Sequence, residues 1–188
     1  MSYIEKNLIF ESNKIYHYNE HYGGTSEVMM DWEDGIMSAS ATYVCQNGGD
    51  ILEIGFGMGI SAGYIQSHSI STHTICENHP QIIPLALEWA ENKPNVTIIT
   101  SSWYDVKDEL GTFDGVFYDA FGDENWADFS SSLVSLCNTN AVSTWFNSTP
   151  TPDDLLDYPG LLYDSHSVSP EPNFYFNHDT YYLPKWQL

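Results

Sequence analysis

Apolar positions along the 188 residues fall into two alternating periods. Ile51, Leu52 and Ile54 form a short apolar run that stops at Gly55, as a buried central strand does before a tight turn. Runs rich in β-branched and aromatic residues at 71–76, 96–100, 113–118 and 141–146 predict four further strands. Between them the spacing turns helical. A helix over 60–66 follows the glycine turn directly. Pro80 suits a second helix start, and Ile82, Ile83, Leu85, Ala86, Leu87 and Trp89 give that helix a broad apolar face. Trp126, Phe129, Leu133 and Leu136 predict a third over 124–138. Upstream, Met29, Trp32, Met37 and Tyr43 predict a helix capped by Thr25 or Ser26, broken at Asp34-Gly35 and stopped by Asn47-Gly48-Gly49. Residues 2–25 have weak periodicity and read as a mobile cover rather than a core element. Beyond Asn147 the chain predicts a short helix at 153–158. Two strands follow, 161–168 and 174–183, joined as an antiparallel hairpin by the turn Pro170-Glu171-Pro172-Asn173. The expectation is one α/β domain over 1–188, doubly wound around a mostly parallel, Rossmann-like seven-stranded sheet.

A content of 42% hydrophobic residues suits one self-sufficient core. No apolar run is long enough to span a bilayer, and Met-Ser-Tyr-Ile-Glu-Lys lacks the regions of a signal peptide, so the expected compartment is the cytoplasm. Cys45, Cys76 and Cys137 are far apart and the seven histidines are scattered, which predicts neither disulfides nor a metal site. Five Lys plus Arg against 26 Asp plus Glu give a formal charge of -21. Such a surface repels phosphate backbones and anionic lipids, which argues against nucleic-acid and membrane partners. It draws in a small cationic substrate, and it equally suits a saline medium.

The chemistry concentrates after the first strand. Gly55, Gly57 and Gly59 permit unusual dihedrals and close ligand approach, while the following helix start offers free N–H groups. The spacing is not the G-x-G-x-x-G of dinucleotide sites, since Ile60 takes the sixth position and Glu53 precedes the turn. Glu77 ends the second strand, 18 positions beyond Gly59, where a carboxylate can accept both hydroxyls of a ribose. The loop after the third strand brings Trp103 to the same crevice, either stacked on a base or packed under the next helix. Asp119 ends the fourth strand there too. Glu-x-Gly-x-Gly-x-Gly resembles the first motif of class I S-adenosylmethionine (SAM) methyltransferases. The resemblance implies that fold and that cofactor, with S-adenosylhomocysteine as product.

Three stretches narrow the resemblance: Val28-Met29-Met30-Asp31-Trp32-Glu33, Leu52 to Met58, and Phe113-Asp114-Gly115-Val116-Phe117-Tyr118-Asp119. In order, from about Glu27 to Phe146 and again from Ser169-Pro170 to Pro184, the chain is similar to guanidinoacetate N-methyltransferase. That family implies that Glu33 and Asp119 are catalytic and hold the substrate guanidinium. It also implies that Glu77 binds ribose and that Asn78, Trp103 and Met37 lie near the cofactor. Its Lys-Pro-Gly-Gly before the fifth strand is replaced here by Asn138-Thr139-Asn140. A guanidinium has a pKa above ~12 and is a poor nucleophile until a proton leaves. Asp119 is therefore expected to bind it and accept that proton, with Glu33 fixing its plane. The plain alternatives are an exposed helix acid at Glu33 and a helix N-cap at Asp119. The expected activity is N-methylation of a small guanidino compound by a monomer or homodimer. Arginine, another small amine, or SAM binding without turnover are the competing readings.

Overall fold

The computed structural model describes residues 2–19, 21, 23–123, 125–149 and 158–188. The chain opens with three antiparallel strands, β1 (Ile9–Phe10), β2 (Lys14–Asn19) and β3 (Gly24–Met30). This corrects the helix expected from Thr25 onward. The spacing from Met29 to Trp32 mimics a helical turn. Residues 24–30 instead pair with β2, where Ile15 and His17 point inward between the more exposed Tyr16 and Tyr18. A 3-10 turn (Asp31–Glu33) then leads into α1 (Asp34–Val44), so Asp34-Gly35 starts the α-helix rather than breaking it. Gly48 and Gly49, at φ 62° and 77°, end the excursion in conformations that side chains rarely adopt.

The main sheet grows outward from β4 (Asp50–Ile54). Then follow α2 (Ile60–Gln66), β5 (Thr72–Cys76), α3 (Ile83–Ala90), β6 (Val96–Ile99), α4 (Trp103–Val106), β7 (Phe113–Tyr118) and α5 (Trp126–Ser132). The sheet is completed by β8 (Cys137–Trp145), β9 (Leu162–Ser167) and β10 (Thr180–Gln187). The order is β6-β5-β4-β7-β8-β10-β9, with the first five strands parallel and β10 antiparallel to both its neighbours. This is the expected mostly parallel seven-stranded sheet with a C-terminal antiparallel hairpin.

Alternate residues of the central strands serve opposite faces. Leu52, Ile54, Val116 and Tyr118 pack with Trp103, Phe129 and Trp145, while Ile51 and Phe117 pack with α1 and Ile65. Each such burial contributes about 1.5–3 kcal/mol. Three boundaries differ from expectation. The second predicted helix starts at Ile83, with Pro84 rather than Pro80 in its first turn. The third gives way to a 3-10 turn at Leu133, and β8 begins at Cys137; within it Asn140 holds φ 66°, a left-handed conformation that asparagine adopts more readily than most side chains. The expected strand over 174–183 is also displaced. Residues 168–179 are a loop, because the Asn173 carboxamide accepts the N–H groups of Tyr175 (2.9 Å) and Phe176 (2.7 Å) and folds them into a turn. The helix expected at 153–158 lies in a stretch of which only residue 158 is described. Among the described residues no helix is long and apolar enough to cross a membrane.

Candidate active site

Two adjoining cavities of about 310 Å³ each open at the carboxyl ends of the parallel strands, where ligands bind in doubly wound sheets. The first begins at the glycine turn. Gly55, Gly57 and Gly59 have φ of 95°, 53° and 72°. The crowding that demands glycine comes from the protein itself. A Cβ on Gly55 would stand 2.1 Å from the Asp119 carbonyl oxygen, one on Gly57 2.7 Å from Met29 Sδ, and one on Gly59 2.7 Å from the Phe56 ring. Gly55 and Gly57 line the cavity, whereas Gly59 caps α2 behind it.

Opposite the turn, Glu77 is 6% exposed, and its oxygens accept the N–H groups of Phe56 (3.0 Å) and His79 (2.7 Å). Burial raises its pKa, and these backbone donors offset part of the rise. The backbone N–H groups of Gly57 and Asn78 also lower it, so a ribose would share this carboxylate with the turn that carries it. Asn78 stands exposed beside it on the same wall. Trp103 is packed, the second of its two readings. It is buried against Phe129 and donates from Nε1 to Asp123 at 2.7 Å, yet it also lines the cavity. The N-terminal segment crosses the opening. The Tyr3 ring lies tilted against His79 and edge-on to Phe121, at 4.8 and 5.2 Å, and the backbone of Leu8 is held by Gln81.

Three residues expected at the cofactor are not on either wall. Met37 is packed inside α1, Gly59 caps a helix, and Glu53 is fully buried beneath the turn. Glu53 accepts the Ser61 hydroxyl, and His73 Nε2 lies 2.9 Å from its other oxygen, close but not aligned as a hydrogen bond. Its reach to the cavity is through Ser61, which does line it.

The second cavity carries the two expected carboxylates. Glu33, at the end of the 3-10 turn, is 2% exposed, which removes the exposed-acid reading. Its Oε1 accepts the Met30 N–H (2.8 Å) and the Tyr175 hydroxyl (2.5 Å). Asp119 is fixed by its N–H donating to the Ile54 carbonyl at 2.8 Å and faces both cavities. It caps no helix, since Asn125 precedes α5. Burial first, and then the charge of Asp119, holds Glu33 above the usual carboxylate range. Burial first, and then the charge of Glu53, does the same to Asp119. Trp126, Trp145, Phe146 and Tyr175 supply the aromatic part of the wall. The arrangement sets buried acids among aromatic rings, and such acids gain most from a cation. Sequence reasoning did not find Tyr175 or Asp123. Asp123 accepts from Trp103, from the Tyr118 hydroxyl (2.6 Å) and from Asn125, and it stands between the cavities. A turn-forming Asn173 was the one local signal near Tyr175.

The model of the family guanidinoacetate N-methyltransferase matches residues 18–149. Among curated proteins, "Protein arginine N-methyltransferase 2" of Yarrowia lipolytica is 35% identical over 162 residues, covering 78% of this chain and 33% of that protein. Its namesake in Candida glabrata is 37% identical over 160 residues, covering 78% and 36%. The chain thus spans about a third of the length of these relatives. Among solved structures, spermidine synthase from Thermotoga maritima superposes with a TM-score of 0.64 at 12% identity, over 96% of this chain and 72% of that one. Precorrin-6y C5,15-methyltransferase from Geobacter metallireducens gives 0.58 at 15% identity, over 80% and 87%. At such identities the likeness is one of fold. The glycine turn and the Glu77 carboxylate on facing walls of one cavity fit an adenosyl cofactor, which the family supplies as S-adenosylmethionine. The chain belongs to the guanidinoacetate N-methyltransferase family of SAM-dependent methyltransferases.

Proposed function

We propose that this chain methylates a guanidinium nitrogen of a small guanidino compound. The observation that carries the reading is the pair Glu33 and Asp119, two acids facing one aromatic cavity that adjoins the cofactor cavity along Asp119 to Asp123. When bound, the cofactor supplies an electrophilic methyl group on a sulfonium sulfur. Everything else is the work of side chains. A guanidinium pairs with both carboxylates through charge-assisted hydrogen bonds, which lowers the cost of their burial. Asp119 accepts the proton that the nucleophilic nitrogen must lose, and its raised proton affinity narrows the gap to the guanidinium. Glu33, held by Met30 and Tyr175, keeps the guanidinium plane from turning. The aromatic rings exclude water, so that alignment of the nitrogen with the methyl group supplies much of the rate.

A second reading is an arginine side chain of a peptide or protein. It is favoured by the 35% and 37% identity to relatives named protein arginine N-methyltransferase 2. The experiment is a methyl-transfer screen with labelled SAM against guanidinoacetate, free arginine, an arginine peptide and a small primary amine. Label on a guanidino nitrogen is expected. Transfer to the amine alone would overturn the reading, and cofactor binding with no transfer to anything would mark a non-catalytic binder.

A further inference from the structure

The acceptor cavity has acidic and aromatic walls but no basic one. The chain contains no arginine, and its lysines are Lys6, Lys14, Lys93, Lys107 and Lys185. None of them lines either cavity, and no histidine does. Four are engaged elsewhere: Lys14 beside Glu11 at 3.9 Å, Lys93 over the Trp89 ring at 4.1 Å, Lys107 over Tyr104 at 3.7 Å, and Lys185 on Asp164 at 2.8 Å. Among the described residues the polar groups facing the acids are few as well. The Asn147 side chain donates to the Tyr182 carbonyl (3.0 Å) and accepts the Thr149 N–H (3.1 Å), which leaves the Ser148 hydroxyl. Asp123 adds a third carboxylate to the same wall.

A substrate that carried its own carboxylate into this space would lose hydration, gain no countercharge and face three acids, a combination that is costly at low local dielectric. An uncharged tail meets no such penalty and gains contact with Trp126, Trp145 and Phe146. We propose that the acceptor presents its guanidinium on an uncharged tail, and that the cavity selects against a carboxylate at the far end. This rests on the guanidinium reading above and narrows it.

The test compares guanidinoacetate with guanidinoacetamide, which has the same size and differs in the charge of the tail, together with a blocked peptide holding one arginine. With saturating SAM, kcat/KM for the amide is expected to exceed that for guanidinoacetate by at least about tenfold. The preference should persist in about 0.5 M salt, where the field of the whole acidic surface is screened but the cavity wall is not. Ser148→Lys should narrow the gap by giving the carboxylate a partner. Methylation of the peptide but of neither small compound also supports an uncharged tail. Guanidinoacetate equal to or better than the amide overturns the inference while leaving the guanidinium reading intact, and so does a preference that vanishes in salt. Transfer to none of the three, with the cofactor bound, overturns both.

Discussion

Tyr175→Phe isolates one hydrogen bond at the proposed acceptor site. The ring keeps its neighbours in the variant, since Trp32 lies 6.1 Å away at 27° and Phe146 5.8 Å away at 65°, and neither contact needs the hydroxyl. What is lost is the 2.5 Å bond to Glu33 Oε1. A hydrogen bond to a charged group contributes about 1.5–3 kcal/mol. At 1.36 kcal/mol per pH unit, its loss moves the Glu33 titration upward by about one to two pH units. Burial already holds Glu33 high, so near pH 7 the variant keeps its proton more often than the wild type does. A cationic acceptor binds the ionised form. Its affinity should therefore fall about 10- to 100-fold at neutral pH and recover at higher pH. The assay is kcat/KM for the guanidino acceptor across about pH 6 to 10, at saturating cofactor, with kcat and KM resolved separately. The acid limb should shift upward, with the change carried mainly by KM. An unmoved limb, or an equal loss at every pH, would refute the reasoning and leave Tyr175 a packing residue.

Asp119→Asn keeps the shape but removes the base, so single-turnover methyl transfer should drop by about 10²–10⁴, while calorimetry finds S-adenosylhomocysteine bound nearly as before. Glu77→Ala should weaken that same binding by about 1–3 kcal/mol, through the lost ribose hydrogen bonds. Glu33 and Asp119 both hold protons in the fold that the unfolded chain has lost, so their contribution to stability falls as pH rises from about 4 until both have ionised. Denaturant midpoints measured across that range should decline less steeply in the double variant Glu33→Gln, Asp119→Asn. An identical slope would remove these two groups as the cause.

The parallel core was legible because its strands are short β-branched runs and its helices keep one apolar face, as 51–54, 96–99 and 113–118 illustrate. The N-terminal sheet was not, because Met29 and Trp32 sit three apart and imitate a helix, and only pairing with 14–19 decides between the two. The place of Glu77 on the cavity wall followed from a strand end, whereas only the packing shows that Glu53 and Met37 face inward and that Gly59 caps α2. Tyr175 and Asp123 were beyond reach for another reason. The Tyr175 hydroxyl meets a carboxylate 142 residues away in sequence, a distance over which no local spacing carries information.

The contact between Gly55 and Asp119 ties two functions to one measurement. The Asp119 carbonyl sits where a Cβ of Gly55 would be, and the Asp119 N–H is bonded to the carbonyl of Ile54. The turn expected to seat the methyl donor and the residue expected to take the proton are thus abutting backbone, with no side chain between them to flex. A shift of one carries the other with it. The length fixed in this way is the backbone separation of the turn from Asp119. On the far wall, by contrast, the loops bearing Ser148 and Tyr175 can change a residue without altering that length.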